Sequence, residues 1–134
     1  MSLDNESRLA MIAYRQEKAH VALDDATFLT EAGRYNLAAN RLYYALYYAA
    51  SALLLSKGII TKRHSGLITQ IHMNFVKPGI LTAEEGGLFK VMFDLRHEGD
   101  YEDFIDVERL DIEEYTPQVK QLVEKLINLV EIYV

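Results

Sequence analysis

Apolar residues recur every three or four positions along most of the chain, and glycine- or proline-containing breaks cut that pattern into five stretches of helical period. The first is predicted to run from an N-cap at Asp4 to about Glu31. Leu9, Ile12, Ala19, Ala22, Leu23, Ala26 and Leu29 form its inner face, and Arg15, Glu17, Lys18, Asp24 and Asp25 its outer face. Ala32-Gly33-Arg34 ends it. The second, Tyr35 to about Lys57, is closed by Gly58 and is apolar almost all round, which predicts a central or interface position. The third spans about Ser65 to Val76 with Leu67, Ile68, Ile71 and Phe75 inward, and Pro78-Gly79 breaks the chain after it.

Thr82 and Glu85 form a predicted capping box for the fourth helix, whose stripe is Leu88, Val91, Met92 and Leu95. Gly99 offers a left-handed stop, which would put Arg96 and His97 in the last turn. Residues 103–110 read as irregular. The last helix starts either at Asp111 or, because Pro117 removes a hydrogen bond inside a helix, at Thr116 with Pro117 in first position. Its stripe is Val119, Leu122, Val123, Leu126, Val130 and Tyr133. No segment has strand period. The prediction is an all-α, up-and-down bundle of four main helices plus a shorter one, in a single domain over residues 1–134.

Composition narrows the function. Half of the 134 residues are hydrophobic, enough for a core. There is no cysteine, so neither disulfide nor thiolate chemistry is available, which fits a cytoplasmic location. The N-terminus shows no charged-then-apolar leader pattern, and the most apolar run, Leu42–Leu55, is too short to span a bilayer and holds four tyrosines. No membrane association is expected. A net charge of −6 argues against tight duplex DNA binding, so any nucleic acid must use a local basic patch. Lys62-Arg63-His64 is the compact basic cluster, with Lys77 as a possible neighbour.

A glycine-rich phosphate loop, an HExxH helix and serine-nucleophile motifs are all missing. The four histidines show no metal-ligand spacing, and no cofactor or metal is expected. His20 and His72 sit in helical runs and read as structural or exposed. Chemistry concentrates in Asp94-Leu95-Arg96-His97-Glu98-Gly99-Asp100-Tyr101-Glu102-Asp103-Phe104 and on the tyrosine-rich second helix. There Tyr43 and Tyr47 share one ridge, and Tyr44 and Tyr48 the next. These rings either pack, each hydroxyl finding one partner, or wall a pocket. Asn40 and Arg41 are polar on a helix with few solvent-facing positions.

These residues carry a resemblance. Arg34-Tyr35-Asn36-Leu37-Ala38-Ala39-Asn40-Arg41-Leu42-Tyr43-Tyr44-Ala45-Leu46-Tyr47-Tyr48, then Lys62-Arg63-His64-Ser65-Gly66, then Phe75-Val76-Lys77-Pro78-Gly79, then Asp94-Leu95-Arg96 with Gly99-Asp100-Tyr101, resemble the HEPN superfamily and its small stand-alone bacterial and archaeal branch. The resemblance covers the chain from about Tyr14 to the last helix. It implies a four- or five-helix bundle that forms homodimers. It also implies kinship with RNases and with toxins encoded beside a minimal nucleotidyltransferase. In the active nucleases an arginine is followed, after four to six residues, by a histidine. Arg96 matches the arginine, but positions 101–103 hold Tyr, Glu and Asp. The carry-over therefore stops at Arg96.

RNA cleavage by its own 2′-hydroxyl needs a base, an acid and a cation for the phosphate charge. Arg96 can supply the charge as a bidentate ligand. Tyr101 is a poor base at neutral pH. His97 titrates in the right range but points about 100° away from Arg96 on a helix. Three readings follow. In the first, a homodimer binds RNA, a nucleotide or a protein partner in a cleft lined by Arg96, Asp100, Tyr101, Asn40, Arg41 and Tyr44, with His64 nearby, within a toxin–antitoxin-like pair. In the second it is an active metal-independent ribonuclease using Arg96 with His97 or His64, with Tyr101 as a further catalytic candidate. In the third it is a purely structural dimerisation module, with Arg96 paired to Asp100.

Overall fold

The computed structural model describes residues 4–101 and 106–134, with the side chains of 97–101 left undescribed. Among the described residues there are five α-helices and no strand: α1 (Asn5–Glu31), α2 (Tyr35–Ser56), α3 (His64–Ile71), α4 (Ala83–Tyr101) and α5 (Arg109–Tyr133). The all-α bundle expected from the periodicity is the fold.

Local chemistry sets the helix ends. The Asp4 side chain accepts from the Ser7 N–H at 2.7 Å and starts α1. Thr82 and Glu85 exchange side-chain bonds with each other's backbone N–H at 3.0 and 2.9 Å, the capping box foreseen for α4. Gly33, Gly58 and Gly79 have φ of 74°, 79° and 88°, so the three predicted breaks turn on residues that tolerate left-handed backbone.

Helix α2 touches all four other helices. Six of its alanines (Ala38, Ala39, Ala45, Ala49, Ala50, Ala52) are fully buried, which lets neighbours approach closely, and Leu42, Leu46 and Leu53 fill the space between. The apolar stripes of α4 and α5 close the core through Phe89, Met92, Val119, Val123 and Leu126. Leu9 and Val91, expected inward, are 41 % and 40 % exposed, because each lies at the edge of its stripe.

Two boundaries differ from expectation. Helix α4 does not stop at Gly99 but continues to Tyr101, so Arg96 lies more than a turn inside the helix. A glycine costs a helix about 1 kcal/mol, which does not by itself end one. Helix α5 starts at Arg109, earlier than either Asp111 or Thr116, with Glu108 and Asp111 forming a reciprocal capping box. Pro117 lies inside the helix on its exposed face, as does Glu113, whose carbonyl loses its usual N–H partner to the proline ring.

The third helical segment is also not uniform. After Ile71 it widens into a π-helical turn, His72–Val76. Gly86 of α4 packs against that turn: a Cβ there would lie 2.6 Å from Val76 Cγ2 and 3.0 Å from His72 Cε1. His72 Nε2 donates to the Gly86 carbonyl at 3.1 Å, which makes this histidine structural.

Candidate functional site

The site is built from three helices that meet at Tyr43. On α2, Tyr43 follows the buried Leu42 and is itself fully buried. Its hydroxyl shares a 2.6 Å hydrogen bond with Nδ1 of His64, the first residue of α3. On α4, Phe93 and Arg96 are one turn apart and face the same rings. The Arg96 guanidinium carbon lies 5.3 Å from the centroid of Tyr43, 5.9 Å from Tyr44 and 5.1 Å from Phe93. The His64 ring sits 4.8 Å from Tyr47 and 5.5 Å from Tyr43. Arg96 and His64 are both half-buried. A cation and an imidazole are thus held on one aromatic platform, by cation–π attraction and a short hydrogen bond.

Electrostatics fix the protonation states. Burial pushes the Tyr43 phenol well above its ordinary range, with Arg96 pulling only partly the other way. Burial also lowers the His64 pKa, and repulsion from Arg96 lowers it further. At pH 7 both groups are neutral. The Tyr43 hydroxyl and His64 Nδ1 share one hydrogen bond whose direction follows the imidazole tautomer: when the phenol donates to Nδ1, the imidazole proton rests on Nε2. In either tautomer the bond to Tyr43 holds the ring from behind and leaves Nε2 as the outward nitrogen, a donor when the phenol donates to Nδ1.

The structure brings together some of the predicted residues. Arg96, His64 and Tyr44 share the platform. Arg41 and Asn40 make a separate pair, with the guanidinium donating to Asn40 Oδ1 at 2.8 and 3.2 Å. That pair adjoins the platform, because Arg41 also lies 5.1 Å from the Tyr44 centroid. His97, Asp100 and Tyr101 lie on α4, but their side chains fall outside the described residues. Tyr43, Tyr47 and Phe93 are new members. The tyrosine ridges were visible in sequence, whereas the link from Tyr43 to His64 joins residues far apart in the chain. Among the described residues no three His, Asp or Glu side chains converge to hold a metal ion. None of the described helices is long and apolar enough to cross a membrane.

Comparison with known proteins places this geometry. A UPF0332 protein of Thermotoga maritima is 35 % identical over 90 % of this chain and 92 % of its own length. Two proteins of Methanocaldococcus jannaschii, both named "putative toxin", are 31 % and 35 % identical over 72 % and 63 % of this chain. The matched segments span 66 % and 63 % of their lengths. The family model of the HEPN domain matches residues 12–133. That match takes in the tyrosine helix, His64 and Arg96 alike, and the chain belongs to the HEPN domain family.

Proposed function

We propose that this chain is the toxin-type member of a two-protein system: a cytoplasmic homodimer whose Arg96–His64 centre takes a phosphate of RNA or of a nucleotide, and whose partner is a minimal nucleotidyltransferase. The observation that carries the reading is the platform itself. An arginine and a histidine side chain meet on tyrosine and phenylalanine rings at half-buried positions. A planar guanidinium matches phosphate oxygens in bidentate fashion, and the His64 Nε2–H adds a donor. Membership of the HEPN family and the names of the two archaeal relatives support the toxin assignment. Asp100 and Tyr101 stay in this proposal as the ligand-binding candidates that the sequence names. The test is RNA binding and growth arrest on expression, wild type against Arg96→Ala. The reading predicts that both disappear while helix content is retained. Unchanged binding and arrest in Arg96→Ala would overturn it.

A second reading, a metal-independent ribonuclease, is favoured by the position of His64. The missing motif histidine has a spatial substitute beside Arg96, contributed by α3 rather than α4. In such a reaction the 2′-oxygen bonds to phosphorus and the bond from phosphorus to the 5′-oxygen breaks. In this reading the imidazole proton sits on Nδ1 and is donated to the Tyr43 oxygen, so the free Nε2 takes the 2′-hydroxyl proton, and water protonates the leaving 5′-oxygen. Cleavage in the presence of EDTA, leaving 2′,3′-cyclic phosphate ends and abolished in His64→Ala, would select this reading over binding alone.

A further inference from the structure

Outside the Arg96 cluster, α1 carries a second pattern. Tyr14, Lys18, Val21, Asp25 and Phe28 are spaced four, three, four and three residues apart, so at 100° per residue they share a stripe of about 80°. The stripe is uncovered: Tyr14, Val21 and Phe28 are 61 %, 50 % and 71 % exposed. Helix α2 runs antiparallel beside it and repeats the spacing with Leu37, Arg41, Tyr44 and Tyr48. The two ridges are in contact. Lys18 Nζ lies 5.3 Å from the Tyr14 centroid and 5.0 Å from that of Tyr48. Asp25 and Arg41 line one shallow cavity of about 370 Å³ between the helices. Large apolar residues at a seven-residue repeat, flanked by charges, form the kind of seam along which two helices pack.

Charge identifies what packs there. Along α1 the stripe reads positive at Lys18, apolar at Val21 and negative at Asp25. A second copy of the same stripe, laid antiparallel about a two-fold axis near Val21, sets Lys18 against the partner's Asp25 and Asp25 against the partner's Lys18. The same register brings Tyr14 beside the partner's Phe28. The pattern is self-complementary, as a two-fold interface requires. We infer that the α1 stripe, flanked by the Arg41–Tyr48 ridge of α2, is the surface through which two copies of this chain pair. The inference rests on the homodimer reading above and adds to it the face and the register. It also links pairing to the site: Tyr44 touches Arg41 of the interface ridge and Arg96 of the phosphate centre, so each centre lies at the interface rim.

The test is charge reversal with rescue, read by light scattering and sedimentation on the full chain. Wild type should have twice the 15.4 kDa chain mass. Phe28→Asp should shift it to the monomer. Lys18→Asp and Asp25→Lys should each weaken pairing at least tenfold, and the double reversal should bring it back to near wild type. Circular dichroism matching wild type shows that each variant is folded. A wild-type chain that is monomeric at micromolar concentration overturns the dimer reading and this inference together. A wild-type dimer indifferent to Phe28→Asp and to both reversals overturns the face alone and moves the dimer elsewhere. Disruption by the single reversals without rescue in the double overturns the antiparallel register.

Discussion

The two sides of α2 are made for different purposes. One side, Ala38, Leu42, Ala45, Leu46, Ala49 and Leu53, is fully buried and purely apolar. The other, Asn40, Tyr43, Tyr44 and Tyr47, carries polar atoms at nearly every position, and it is where α3 and α4 deliver His64 and Arg96. The first side holds the bundle together by shape. The second sets hydroxyls and rings at positions where aliphatic side chains would pack as well. The contrast predicts that damage to the two sides separates cleanly: the alanine–leucine side loses stability, and the tyrosine side loses function.

The largest effect should come from the apolar side. Leu46→Ala removes a fully buried side chain at the centre of the bundle and should cost about 2–5 kcal/mol, read as a lower urea midpoint with an unchanged slope. Gly86→Ala tests the other tight spot. Its methyl would press on Val76 and His72, so overpacking of about 1–3 kcal/mol should outweigh the better helix propensity of alanine.

Next in size is Arg96. Its cation–π contacts are worth about 0.5–2 kcal/mol. Arg96→Ala should therefore lower stability modestly and keep helix content while abolishing RNA or nucleotide binding. Arg96→Lys should rescue binding poorly, because an ammonium lacks the planar fork. A loss of several kcal/mol in Arg96→Ala, as follows when a buried pair is broken, would return Arg96 to the structural class and erase the contrast between the two sides.

How far these regions could be read from sequence follows the range of the forces involved. Periodicity and capping are local, so the helices, the three glycine turns and the Thr82–Glu85 box were legible. The end of α4 was not, because a glycine ends a helix only where the chain also turns away. Nor was the start of α5, because Pro117 sits on the exposed face of a helix already begun by the Glu108–Asp111 box, and the helix runs on through it. In the site, Arg96, His64 and Tyr44 were legible as chemistry, since their residue types stand out against an apolar helix. That His64 is anchored by Tyr43, and that Phe93 flanks Arg96, depends on three helices converging. No local spacing encodes it.

The smallest effect is also the most specific to the tyrosine side. His64 is held neutral by burial and by the charge of Arg96, so its folded pKa lies below the unfolded value near 6.5. The sign follows from proton binding. Below pH 6.5 the unfolded chain takes up a proton that the folded chain resists. This histidine's contribution to stability is therefore complete above 6.5 and is lost as pH falls through the folded pKa. Replacing Arg96 with Ala removes the repulsion and should move the His64 midpoint upward, whereas Arg96→Lys should leave it low. Tyr43→Phe keeps the ring but deletes the hydroxyl that fixes the tautomer, at a stability cost of about 1 kcal/mol. The imidazole proton should then distribute between Nδ1 and Nε2. Nitrogen-detected NMR of His64 reads both the midpoint and the tautomer. A midpoint that ignores Arg96, or a tautomer that ignores Tyr43, would mean the platform does not act as one unit.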